Sequence, residues 1–96
     1  MQRTEGLFDR FQRGLRSDKG IAILDVRTAK EFADGHVAGA VNIDVNQTDF
    51  AQKIDELDRS KTYIVYCRLG RRSSKAVGIM ATKGFKNLYN VSDGFV

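Results

Sequence analysis

The chain has 96 residues, 42% hydrophobic and 29% charged, with a net charge of +4, one cysteine, one histidine and no proline. That length predicts one small domain over 1–96 that buries a little over ~60% of its unfolded surface, and no apolar run approaches the ~20 residues of a membrane-spanning helix. A lone cysteine excludes an intramolecular disulfide and, with a single histidine, a metal site, and it suits a reducing, cytoplasmic setting; the basic charge is interrupted by acids along the chain, which favours a small anionic partner over nucleic acid.

Leu7, Phe11 and Leu15 recur on one helical face, broadened by Phe8, and predict a helix over about 6–16. Glu5, Asp9 and Asp18 argue against reading this basic stretch as an organelle-targeting peptide. Ser17 to Gly20 is a turn. Ile21-Ala22-Ile23-Leu24-Asp25-Val26 is a near-continuous apolar run, as in a strand covered on both faces. Thr28 followed by Glu31 is a capping-box pattern and opens a short helix over 29–33 that stops at Asp34-Gly35. Ala40 to Ile43 reads as another short strand. Thr48 or Asp49 can cap a helix running to Leu57, with Phe50, Ile54 and Leu57 on one face.

Tyr63-Ile64-Val65-Tyr66 continues the strand pattern and ends on Cys67. A loop over 67–72 leads to a helix over 73–83, with Ala76, Val77, Met80 and Ala81 on its packed side and Gly84 as a left-handed cap. Phe85 to Val91 is a turn and then a strand. The order αβαβαβαβ with short connections predicts an α/β fold with a mainly parallel sheet.

Cys67 therefore stands after a strand and before a helix, where ligands bind in open parallel sheets. The nucleophile of cysteine chemistry is the thiolate, and an ordinary thiol with a pKa of about 8.5 is mostly protonated at neutral pH. The partial positive charge of the helix start and the neighbouring Arg68, Arg71, Arg72 and Lys75 lower that pKa. Gly70 allows a positive φ, so the backbone N–H groups can turn inward as an anion cradle with the sulfur at its base.

Cys67-Arg68-Leu69-Gly70-Arg71-Arg72-Ser73 resembles the active-site loop of rhodanese-type sulfurtransferases, of pattern C-R-x-G-x-R-S. Leu24-Asp25-Val26-Arg27, Glu31-Phe32, Gly35-His36-Val37, Gly39-Ala40 and Asn42-Ile43 are similar to a second signature of that family, in the expected order. The resemblance implies a rhodanese-like three-layer sandwich with helices on both sheet faces. It also implies sulfur transfer through a Cys67 persulfide, from an anionic donor such as thiosulfate to cyanide or a thiol, with no cofactor. On that reading Arg68, Leu69, Gly70, Arg71, Arg72, Ser73 and Arg27 bind the substrate, while Asp25, Glu31 and His36 give structural support. A protein sulfur donor or acceptor is the alternative partner, with the chain then a persulfide carrier. A phosphatase or arsenate reductase on the same fold is disfavoured, since the stretch between Cys67 and Arg72 is one residue shorter than in tyrosine-phosphatase-like loops. Non-catalytic members typically lose the cysteine, which is present here. The family pattern usually continues past the last strand into a helix carrying tryptophan, which is missing from the sequence after Gly94.

Overall fold

The computed structural model describes residues 20–92, so the helix expected over 6–16 lies outside the described residues. Four strands form one parallel sheet: β1 (Ile21–Asp25), β2 (Val41–Asn42), β3 (Thr62–Tyr66) and β4 (Asn87–Val91), in the order β2-β1-β3-β4. Three helices connect them: α1 (Ala29–Asp34), α2 (Phe50–Asp55) and α3 (Arg71–Thr82). The fold class is α/β, as expected.

Side chains alternate across the sheet, and the alternation sorts the core into two clusters. Leu24, Val26, Tyr63, Val65 and Cys67 share one face with Phe50 and Ile54 of α2 and Ala76 and Met80 of α3. Ile23, Ile64 and Tyr66 point the other way and pack with Val37. β1 and β3 run side by side from Ile21↔Thr62 to Asp25↔Tyr66, so their carboxyl ends finish level. From β1 the chain goes to one side, to β2, and then crosses to the other, to β3. The gap between the ends of β1 and β3 is thus the point where the strand order reverses, the position at which open α/β sheets bind ligands.

The boundaries move by one or two residues from the sequence expectation. β1 ends at Asp25, although the Val26 N–H still donates to Tyr66 O at 3.1 Å. β2 is only two residues long, and Ile43 continues the ladder with an N–H to Asp25 O at 2.9 Å. α2 stops at Asp55 because the Glu56 and Leu57 N–H groups bond three residues back, to Lys53 and Ile54, which tightens the last turn. Asp49 is its N-cap residue but makes no side-chain capping bond. α3 begins at Arg71 rather than Ser73, because Gly70 at φ +91° turns the chain directly into the helix.

One packing expectation is corrected. Ala81 is exposed, and the packed side of α3 is completed instead by Ile79 with Val77, beside Ala76 and Met80. The end of α3 is a Schellman arrangement: the Gly84 N–H donates to Ala81 O and the Phe85 N–H to Met80 O, both at 3.2 Å, with Gly84 at φ +94°. Phe85 and Met80 meet in the core, as that motif favours.

Candidate active site: the Cys67 cradle

Cys67 is the first residue after β3, and strand alternation turns it to the face that α3 covers. Its side chain is 1% exposed. Sγ accepts the Gly70 N–H at 3.0 Å and the Ser73 N–H at 3.2 Å. These are among the first N–H groups of α3, which have no partner inside the helix. The thiol also donates to Ser73 Oγ at 3.5 Å, and the buried Ser73 hydroxyl donates to Gly70 O at 3.1 Å. Burial pushes the thiol pKa up, but the Ser73 hydroxyl and the N–H groups of Ser73, Gly70 and Leu69 outweigh it, and the net shift is downward. The sulfur therefore lies in a ring of backbone donors that favours negative charge.

Gly70 holds this ring in shape. Besides its positive φ, an added Cβ would collide with the Ser92 carbonyl oxygen after β4. Its own carbonyl takes a second hydroxyl, from Ser74 at 2.8 Å, and Asn90 on β4 donates to Ser74 Oγ at 2.9 Å. Ser74 and Asn90 were not anticipated as part of the site. Asn90 is separated from the loop by a whole helix in sequence, and only the β3–β4 pairing brings it near.

The arginines divide into two groups. Arg72 is committed to Glu31 on α1 by two bonds, Nη1 to Oε1 at 2.7 Å and Nη2 to Oε2 at 3.1 Å. The Arg72 guanidinium is the main reason the Glu31 carboxyl is held down to about 2, with the Thr28 N–H and hydroxyl helping. Glu31 thus does two jobs: it closes the capping box on Thr28 at 3.1 Å and ties α1 to the start of α3. Arg68, Leu69 and Arg71 stand on the outside of the loop, all exposed.

Arg27 follows β1 and is 5% exposed. Its Nε and Nη2 grip Asp25, with Nη2 to Oδ2 at 2.7 Å, and Nη2 also donates to Gly35 O at 2.7 Å. Asp25 accepts the Tyr66 hydroxyl at 2.7 Å, and that hydroxyl accepts the Val37 N–H at 3.1 Å. Burial pushes the Tyr66 phenol up, and the neighbouring Asp25 adds to the shift. Asn42 bridges the carbonyls of Asp25 and Arg27 at 3.0 and 2.9 Å. The structure therefore gathers Asp25, Arg27 and Tyr66 into a buried network beneath the carboxyl ends of β1 and β3. Tyr66 was missed as a polar residue because its strand context reads as purely apolar. His36 is exposed, stacked on Phe32 with centroids 3.6 Å apart, and its Nδ1 lies 2.8 Å from Phe32 O.

The family model for the rhodanese-like domain matches residues 8–96, nearly the whole chain. The chain belongs to the rhodanese-like domain family. This rhodanese-like domain is 33% identical over 90 residues to a putative mitochondrial thiosulfate sulfurtransferase of Schizosaccharomyces pombe, covering 82% of the chain and 63% of that relative. It is 33% identical over 84 residues to the putative sulfur carrier protein YrkF of Bacillus subtilis, covering 88% of the chain but 44% of that relative. Among solved structures it is similar to a rhodanese-like domain protein from Staphylococcus aureus, with a TM-score of 0.76 and 28% identity over 90% of this chain and 81% of that one. The chain thus spans less than two thirds of the length of both named relatives. Among the described residues no helix is long and apolar enough to cross a membrane.

Proposed function

We propose that this rhodanese-like domain is a cytoplasmic sulfurtransferase that carries sulfane sulfur on Cys67. The observation that carries the reading is the pair of backbone N–H groups, from Gly70 and Ser73, aimed at a buried sulfur whose pKa is lowered. In the first half-reaction the Cys67 thiolate attacks the outer sulfur of thiosulfate. The S–S bond of thiosulfate breaks, sulfite leaves with the electron pair, and Cys67 keeps the sulfur as a persulfide anion. In the second, cyanide or a thiolate attacks that outer sulfur, and Cys67 departs as thiolate. The negative charge on the terminal sulfur would sit in the cradle, where preorganised N–H groups stabilise it without reorganisation.

Arg72 acts here mainly as a brace, since Glu31 holds both ends of its guanidinium. Arg68 and Arg71, outside the cradle, attract the anionic donor. Arg27 keeps its place through Asp25 and stiffens the floor between β1 and β3. A carrier role, passing sulfur between proteins, runs through the same persulfide, and the similarity to a protein named as a sulfur carrier favours it as the second reading.

The test is intact-protein mass before and after incubation with thiosulfate, for the wild type and Cys67→Ala. The expected result is a gain of one sulfur in the wild type only, removed by cyanide with formation of thiocyanate. No gain from thiosulfate or polysulfide would overturn the reading. Loading followed by slow cyanide turnover and fast delivery to one protein would select the carrier reading.

A further inference from the structure

The sulfur is served by backbone donors and Ser73, and Arg72 is consumed by Glu31. Four residues around the same loop lie outside the cradle. Arg68 and Arg71 are exposed, and among the described residues neither forms an ion pair. Lys75 lies one turn beyond Arg71 on the same helix face, and its Nζ reaches only the neutral Asn46 side chain, at 3.3 Å. Leu69, between the two arginines, is 72% exposed. The acids on the neighbouring elements are otherwise placed: Glu31 holds Arg72, Asp25 holds Arg27, and the field of Asp44 falls on Arg72. Among the described residues, the mouth of the cradle is therefore a rim of three cations with no acidic partner around one apolar side chain.

A small dianion at the sulfur is already met by the N–H ring, and it has no use for an exposed leucine. Like charges on one rim repel, and an acidic surface relieves that repulsion while steering its own approach. Cys67 is 1% exposed, so a protein acceptor must present its thiol on a protruding segment.

We propose that this rim docks an acidic, cysteine-bearing segment of an acceptor protein, with an apolar side chain of that segment against Leu69. The inference rests on the persulfide reading above and names its acceptor. In the transfer the acceptor thiolate attacks the outer sulfur of the Cys67 persulfide. The S–S bond breaks, its electron pair returns to Cys67 as thiolate, and the acceptor leaves as the persulfide.

The experiment uses the full chain loaded with thiosulfate, with loading verified by intact mass. Three acceptors are compared: a peptide with one cysteine, an adjacent leucine and flanking Asp and Glu; the same peptide with flanking Lys; and glutathione. Rates are normalised to acceptor thiolate, because acidic flanks raise a thiol pKa and basic flanks lower it. The expected kcat/KM for the acidic peptide exceeds both others by about tenfold at low salt, and the margin shrinks as salt screens it. Arg71→Glu is expected to narrow or invert the preference between the two peptides. Equal rates for the two peptides, or an acidic peptide no faster than glutathione, would overturn the docking reading alone. Failure to load sulfur at all would overturn it together with the sulfurtransferase reading.

Discussion

Ser73 has one hydroxyl proton and two acceptors within reach. With Cys67 protonated, the thiol donates to Ser73 Oγ and the hydroxyl donates to Gly70 O. Once the sulfur is ionised it becomes an acceptor, and the hydroxyl can turn toward it. Ser73→Ala is therefore expected to raise the thiol pKa and slow alkylation by iodoacetamide at pH 7 about tenfold, the equivalent of one charge-assisted hydrogen bond of ~1.5 kcal/mol. Alkylation at the wild-type rate would show that the backbone N–H groups suffice. Gly70 is the other residue on which the cradle depends. Gly70→Ala places a side chain at φ +91° and against the Ser92 carbonyl. It is expected to destabilise the fold by at least ~1–2 kcal/mol, measured by urea unfolding, and to slow alkylation of Cys67 as the N–H ring opens.

At the scale of elements, the Glu31–Arg72 pair couples α1 to α3 across the mouth of the site. The Glu31 carboxyl is held at about 2, below its ordinary 4.5, chiefly by Arg72. A depressed carboxylate contributes stability that is fully present above its unfolded value and is lost as pH falls through its folded value. The wild type should thus exceed Glu31→Gln in Tm by a constant margin above about pH 5, and the margin should fade toward pH 2. A margin that does not change with pH over that range would mean that the ion pair adds nothing to the capping bond. Both capping box and ion pair use the same carboxylate, so the short α1, with no buried residue of its own, is fixed at its first turn from two directions.

For the whole molecule, the buried Asp25–Arg27–Tyr66 network joins β1, β3 and the segment around Gly35 and Val37. Removing one partner of a buried ion pair leaves the other charge uncompensated. Asp25→Ala is expected to cost about 3–5 kcal/mol, and Tyr66→Phe about 1–3 kcal/mol, because the Val37 N–H and one Asp25 oxygen lose their partner. Chemical denaturation measures both, and a near-neutral Asp25→Ala would show that Arg27 finds solvent or another acceptor. The opposite face offers a contrast. There Met80, fully buried between α3 and the sheet, has an apolar role, and Met80→Ala should cost ~2–5 kcal/mol through the cavity it leaves.

The strands, the capping box on Thr28, the left-handed Gly84 and the position of Cys67 between β3 and α3 were all legible in the sequence, because each depends on neighbours a few residues away. Alternation, capping geometry and glycine conformations are local physics. The same local signals set Cys67 beside the N–H groups that lower its pKa. What joins distant segments was not legible. Arg72 reads as a free cation until α1 folds over the loop and Glu31, 41 positions earlier, takes it. Tyr66 reads as apolar filling until the register of β1 and β3 sets it opposite Asp25. Arg68 and Arg71 look the same as Arg72 along the chain, and only tertiary structure leaves them at the surface while it binds the third. Sequence alone determined the place of the candidate nucleophile and the elements that frame it, since backbone propensity and short-range hydrogen bonds need no third dimension. Tertiary structure decided which charges are spent inside the fold and which stay at the surface, since ion pairing depends on distances that only the packed chain sets.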